Sequence, residues 1–151
     1  MFFKKENKIS SVIAEKLKAN NGKALMTSLR GSPIAFWFST TGTGIETDKL
    51  PDYILEWEHF DEIVKKANRL GGTMYRADDL AQRGEKLGEE ISYDTMEGFI
   101  ASELLSIADG ATITRRSTYY SGILDWAGIA TLHRSQGNGS YITINTKYRN
   151  I

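Results

Sequence analysis

Residues 115–120, Arg115-Arg116-Ser117-Thr118-Tyr119-Tyr120, place two guanidinium groups directly before four hydroxyls. A guanidinium is a rigid fork of N–H donors that matches phosphate oxygens, and hydroxyls add short neutral donors. The same donor types recur downstream at His133, Arg134, Gln136, Asn138 and Lys147. This combination suits phosphate recognition and predicts a nucleic-acid contact that is mainly electrostatic and therefore weakened by salt. Arg116→Ala is expected to lose both affinity and part of the salt dependence.

Other chemistries are less well served. The chain has no cysteine, which removes disulfides, thiolate zinc sites and a cysteine nucleophile. Its histidines, His59 and His133, are far apart, and neither stands in a metal-ligand spacing. Asp78-Asp79 and Glu89-Glu90 are adjacent pairs, and helical neighbours diverge by about 100°, so each reads as a solvated acidic face rather than a metal clamp. Thr41-Gly-Thr-Gly44 lacks the Gly-Lys-Ser/Thr that completes a phosphate loop and reads as a surface turn. Asp48, Glu56 and Glu58 keep a divalent-ion nuclease as a minor alternative. The expectation is a non-catalytic protein with no metal and no cofactor.

With 151 residues, 40% of them hydrophobic and 11% aromatic, the chain can bury a core without staples. Met1-Phe2-Phe3-Lys4-Lys5-Glu6 turns polar too soon for a secretion signal, and no window reaches the ~18 apolar residues of a membrane span, which predicts a cytoplasmic protein with no membrane partner. Nineteen basic residues balance nineteen acidic ones, so the net charge gives nucleic-acid binding no support. The charges are nevertheless segregated. Residues 85–109 carry Glu85, Glu89, Glu90, Asp94, Glu97, Glu103 and Asp109 against Lys86, whereas the stretch from 110 onward carries Arg115, Arg116, Arg134, Lys147 and Arg149 against Asp125.

The elements that must position these groups follow from periodicity. Ile9, Val12, Ile13 and Leu17 predict a helix over 9–19, stopped by Asn20-Asn21-Gly22. Residues 34–38, rich in aromatics, predict a buried strand, and 53–57 a second. Phe60, Ile63, Val64, Ala67 and Leu70 predict a helix ending at Gly71-Gly72, followed by an extended piece at 73–75 and a short helix over 77–83 capped by Gly84. Ser92 is the expected N-cap of a longer helix bearing Met96, Phe99, Ile100, Leu104 and Ile107. Residues 112–114 read as a short strand, Ser117 as an N-cap, 119–127 as a helix, and 129–135 with 141–145 as a hairpin around Gln136-Gly-Asn-Gly139. A helix, a glycine turn and an extended step recur around Asn21-Gly22, Gly71-Gly72 and Asp109-Gly110.

The order from Gly110 to Asn145, strand, helix, strand, glycine turn, strand, resembles the second half of a winged-helix domain. The resemblance puts residues 115–126 in the place of the recognition helix and 134–140 in the place of the wing. It implies that Arg115, Arg116, Ser117, Thr118, Tyr119 and Tyr120 meet the major groove and its phosphates, while His133, Arg134 and Asn138 reach adjacent phosphates or the minor groove. Residues 72–84, with Arg76 and Arg83, resemble the front of another helix-turn-helix unit. The layout is also similar to small DNA-binding accessory proteins of Gram-positive conjugative plasmids, internal dimers related to excisionases and MerR-type regulators. The implied architecture is α+β, a winged helix with two helix-turn-helix units around central antiparallel strands. Residues 1–90 hold the first unit and 91–151 the second, over a shared core. The implied function is double-stranded DNA binding in transcription regulation, conjugation or excision, with other regulatory or transfer proteins as partners. The alternative is a non-catalytic adaptor or inhibitor that presents Phe36-Trp37-Phe38 or residues 53–57 to a protein partner.

Overall fold

Ile9, Ile13 and Leu17 line one face of helix α1 (Lys8–Ala19) and are fully buried. Phe60, Ile63, Val64 and Ala67 do the same on α2 (Trp57–Arg69). Both helices close the same way. The Gly22 N–H donates to the Leu17 carbonyl at 2.8 Å, and the Gly72 N–H donates to the Ala67 carbonyl at 2.8 Å. Positive φ at Asn21, Gly22, Gly71 and Gly72 makes that reversal possible. A strand leaves each turn, β1 (Lys23–Thr27) after α1 and β5 (Thr73–Tyr75) after α2.

The chain is described here over residues 8–134 and 139–151 by a computed structural model, and it is α+β with two antiparallel sheets. The first sheet is a meander of β1, β2 (Pro33–Phe38), β3 (Gly44–Thr47) and β4 (Leu55–Glu56), in that order. The second joins β5, β6 (Ala130–His133) and β7 (Tyr141–Ile144) in the order β5-β7-β6. Between β5 and β6 lie α3 (Asp78–Gln82), α4 (Met96–Phe99), which continues as a π-helical turn over Ile100–Leu104, and α5 (Ser117–Trp126). Alternation in β7 buries Ile142 and Ile144. The main core runs from Ile9 to Tyr148 and draws on both sides of residue 90; a smaller cluster of Ala77, Ala81, Leu87, Ile91, Ala101 and Ile113 sits under α3 and the loops around it. Among the described residues, no helix is long and apolar enough to cross a membrane.

Several expectations are corrected. Only Leu55–Glu56 of residues 53–57 form a strand, because Trp57 already begins α2. Gly44 opens β3 rather than closing a surface turn. Thr95, not Ser92, caps α4, its hydroxyl accepting the Gly98 N–H at 3.1 Å. The helical run after it ends at Leu104, short of Ile107, and Ser106 turns to positive φ. The third helix-glycine unit therefore fails, since Gly110 lies in a loop and donates to the Leu87 carbonyl. Residues 112–114 contribute only a bridge from Thr112 to Lys86. Arg116 holds the N-cap position of α5, and Ser117 is its first residue.

The largest correction concerns α5. Apart from Thr118, Asp125 and Trp126, all of its residues are buried. Trp126 meets Phe36 edge-on at 5.0 Å, Tyr120 packs on Phe60 at 5.1 Å, and Gly122 faces the Met26 side chain on β1. The first sheet thus covers the face that a groove-reading helix would have to leave free. Another glycine governs how α4 meets the chain before it. A Cβ on Gly98 would run into the backbone carbonyl of Ser92, which cannot rotate away. Gly98→Ala should cost about 2 kcal/mol of stability, read as a lowered urea midpoint; an unchanged midpoint would show that the Ser92 loop can move aside.

Candidate functional site

The turn from β1 to β2 is rigid for a short loop. The Ser28 N–H donates to the Ser32 carbonyl at 2.9 Å, the Gly31 N–H to the Ser28 carbonyl at 2.9 Å, and the Ser32 N–H to Ser28 Oγ at 3.1 Å. Arg30 rides on this turn. Arg134 leaves the end of β6 and donates to the carbonyl of Leu29 in the same turn, which draws the two sheets together at that point. Between the turn, the start of α5 and Arg134 lies an open cleft of about 890 Å³.

Arg30, Lys49, Arg115 and Arg134 line this cleft, with Thr118 and Tyr119 at the start of α5. The ion pairs of the described residues are Lys65–Glu62, Lys66–Asp94, Arg76–Asp78, Arg83–Asp79 and Arg83–Glu85. Arg30, Lys49, Arg115 and Arg134 thus have no carboxylate partner among the described residues. Asp78 and Asp79 also line the cleft, yet each is already paired with an arginine. Beneath them, Arg76 is 3% exposed and each of its three nitrogens has a partner: it donates to Ser140 Oγ at 2.8 Å, Ser121 Oγ at 3.0 Å and Asp78 Oδ2 at 3.1 Å. Burial pulls its guanidinium below the ordinary arginine value, against the pull of Asp78 and Glu97, and the nearby Arg115 acts in the same direction as burial. Arg76 therefore organises the floor of the cleft, and its expected DNA contact is corrected to a structural one.

The other expected contacts divide. Arg115, Arg134, Thr118 and Tyr119 come together in the cleft. Ser117 does not, because its hydroxyl is buried and donates to Glu97 Oε2 at 2.6 Å. Tyr120 is fully buried, its hydroxyl bonded to Tyr53 at 2.8 Å and His59 at 2.9 Å, and burial raises its pKa well above the ordinary tyrosine value. Arg116 turns toward that cluster, its guanidinium 5.0 Å from the centre of the Tyr53 ring, and its Nε is buried with no hydrogen-bond partner among the described residues. His133 lies on the outer face of the second sheet, bonded to Thr143 at 2.9 Å. Lys147 extends over Tyr148, away from the cleft lining. Arg83 is held by Asp79 and Glu85. Asn138 and Gln136 lie outside the described residues.

The start of α5 is also occupied. Glu97, 1% exposed, accepts the Arg116 N–H at 3.0 Å and the Ser117 N–H at 2.9 Å, so these helix-terminal amides serve a buried carboxyl rather than a phosphate. Burial pushes the Glu97 carboxyl up to about 7, against the Ser117 and Arg116 hydrogen bonds that favour its charged form. Arg30 and Lys49 escape a linear reading because the meander brings them to α5 from far away in sequence. The aromatic run at 36–38 is no exposed ridge: Phe36 is fully buried, Phe38 packs on Trp57, and Trp37 Nε1 donates to Glu46 at 3.2 Å. No group of three or more His, Asp or Glu side chains among the described residues could hold a metal ion, and Asp48 Oδ1 instead accepts the Ala35 N–H at 3.0 Å. No family model, curated protein or solved structure matches the chain.

Proposed function

We propose that this chain binds double-stranded DNA along the phosphate backbone, as a regulatory or accessory protein, with the cationic cleft as its contact surface. The observation that carries the reading is the convergence of Arg30, Lys49, Arg115 and Arg134, from separate parts of the chain, on one open cleft without carboxylate partners among the described residues. Like charges gathered at a surface repel one another, and a polyanion relieves that repulsion while releasing its own counterions. The overall charge balance of +0 then matters little, because the field is local.

The succession α2, β5, α3, α5, β6, β7, with β7 central in its sheet and α4 inserted before α5, resembles the winged-helix order and is compatible with the same reading. Its mode of contact differs from a helix in the major groove. With α5 covered by the first sheet, contact falls to Arg115 just before the helix, to Thr118 in its first turn, to Arg134 just after β6, and to Arg30 and Lys49. Phosphate contacts position a protein without reading bases, so sequence preference should be weak and should come from DNA shape.

The test is fluorescence anisotropy with random duplex DNA over a range of salt. Four phosphate contacts predict a slope of log K against log salt of about −3.6. A slope near zero, or no binding to any duplex at low salt, would overturn the reading.

A further inference from the structure

Beside the cleft is a second, smaller hollow of about 340 Å³, lined by Tyr75, Ala77, Leu80, Arg83 and Thr95. It shares Asp79 and Gly139 with the cleft lining, so the two adjoin. Tyr75 is 40% exposed, although it is a large aromatic on a strand. It ends an aromatic row across the outer face of the second sheet. Tyr75 stands opposite Tyr141, and Tyr141 opposite His133. The ring centres are 5.3 Å and 4.7 Å apart, and His133 and Tyr141 are stacked within 14° of parallel. The row is held in place, since His133 Nε2 is bonded to the Thr143 hydroxyl at 2.9 Å.

These features fit one kind of occupant. A nucleobase is a flat apolar ring with polar edges, and it gains by stacking on an aromatic ring that is already fixed. Ala77 and Leu80 supply apolar walls. Repulsion of a passing strand by Asp79, which lines both hollow and cleft, and by Asp78 in the cleft is reduced by their pairing with Arg83 at 3.6 Å and Arg76 at 3.1 Å. We propose that the hollow beside Tyr75 receives a single unpaired nucleobase of a strand whose phosphates lie in the cationic cleft. The preferred ligand is then DNA with an unstacked base rather than perfect duplex. The proposal rests on the DNA-binding reading for the strand that delivers the base.

Three labelled duplexes test it by anisotropy: one fully paired, one with an unpaired thymine, and one with an abasic residue in place of that thymine. The thymine duplex should bind about tenfold more tightly than either of the others. Tyr75→Ala should remove that gain and Tyr75→Phe should keep it, which separates stacking from damage to the sheet. Equal affinity for the thymine and abasic duplexes, with the paired duplex still bound, would overturn the base site and leave the phosphate cleft standing. Binding of the thymine duplex alone would overturn the duplex reading and support the base site. Failure of all three to bind would overturn both.

Discussion

Replacing Arg115 and Arg134 together by glutamine should weaken random-duplex binding by about 100-fold and roughly halve the salt slope, from about −3.6 to about −1.8. The two side chains reach the cleft from separate elements, one from just before α5 and the other from just after β6. Each is free of ion pairs among the described residues, so neutralisation leaves no orphaned carboxylate behind. A charge-assisted contact from arginine to phosphate at a solvent-exposed surface is worth about 1.5 kcal/mol, the low end of its range, and the loss of two, about 3 kcal/mol, accounts for a factor of this size. Lys147→Gln is the matched control: it removes a cation expected from sequence to share the interface, but the structure holds Lys147 over Tyr148 and outside the cleft. Its binding should stay within about twofold of the parent, since a distant exposed charge is screened. If both variants weaken binding equally, the cleft has no special role and the attraction is diffuse. The Arg116→Ala effect expected from sequence should also be small on DNA, because that side chain faces Tyr53.

Periodicity in the sequence was sufficient for the helices at 8–19 and 57–69, for β2, and for the hairpin strands β6 and β7, where spacing and burial express the same apolar pattern. The first sheet was harder. In Lys23–Thr27 only Met26 is buried, and Leu25 is 66% exposed, so β1 shows no clear alternation of apolar and polar residues. Gly44–Thr47 opens on glycine and reads as turn, although its glycine is required by the close approach of the Leu55 carbonyl. Without those strands nothing links Arg30 and Lys49 to Arg115. The burial of α5 did leave a trace in the sequence. Tyr119-Tyr120-Ser121-Gly122-Ile123-Leu124 offers no polar face wide enough for water, and a helix that is apolar or small all round is usually an interior one. The arginine pair before it marks a cationic helix end and carries no information about the burial of the helix body. Glu97 was hidden for a related reason, since its neighbours in the acidic run are mostly exposed and only the docking of α4 against α5 singles it out.

Glu97→Ala should destabilise the protein by about 3 kcal/mol, because it strands the Arg116 and Ser117 amides and the Ser117 hydroxyl in the interior. Glu97→Gln keeps a carbonyl acceptor for these donors and should cost far less. The two carboxyl forms also make wild-type stability depend on pH. In the unfolded chain the group ionises near an ordinary glutamate value of about 4.3, whereas burial holds the folded group protonated up to about pH 7. Between those values the folded state binds more protons than the unfolded state, so stability falls as pH rises through the window and levels off above it. The drop from this residue is on the order of 3 kcal/mol. Asp61, whose carboxyl is also raised by burial, contributes a fall of the same sign, while His59, lowered by burial, contributes a loss on the acid side. Subtracting the Glu97→Gln profile from that of the parent removes both, as neither residue touches Glu97. Urea unfolding at a series of pH values from about 4 to 8 should therefore show the parent more stable than Glu97→Gln at the acid end, losing that advantage as pH rises and falling below the variant toward alkaline pH. Parallel curves would mean that Glu97 is charged throughout, that the amides at the head of α5 already neutralise it, and that burial costs it nothing.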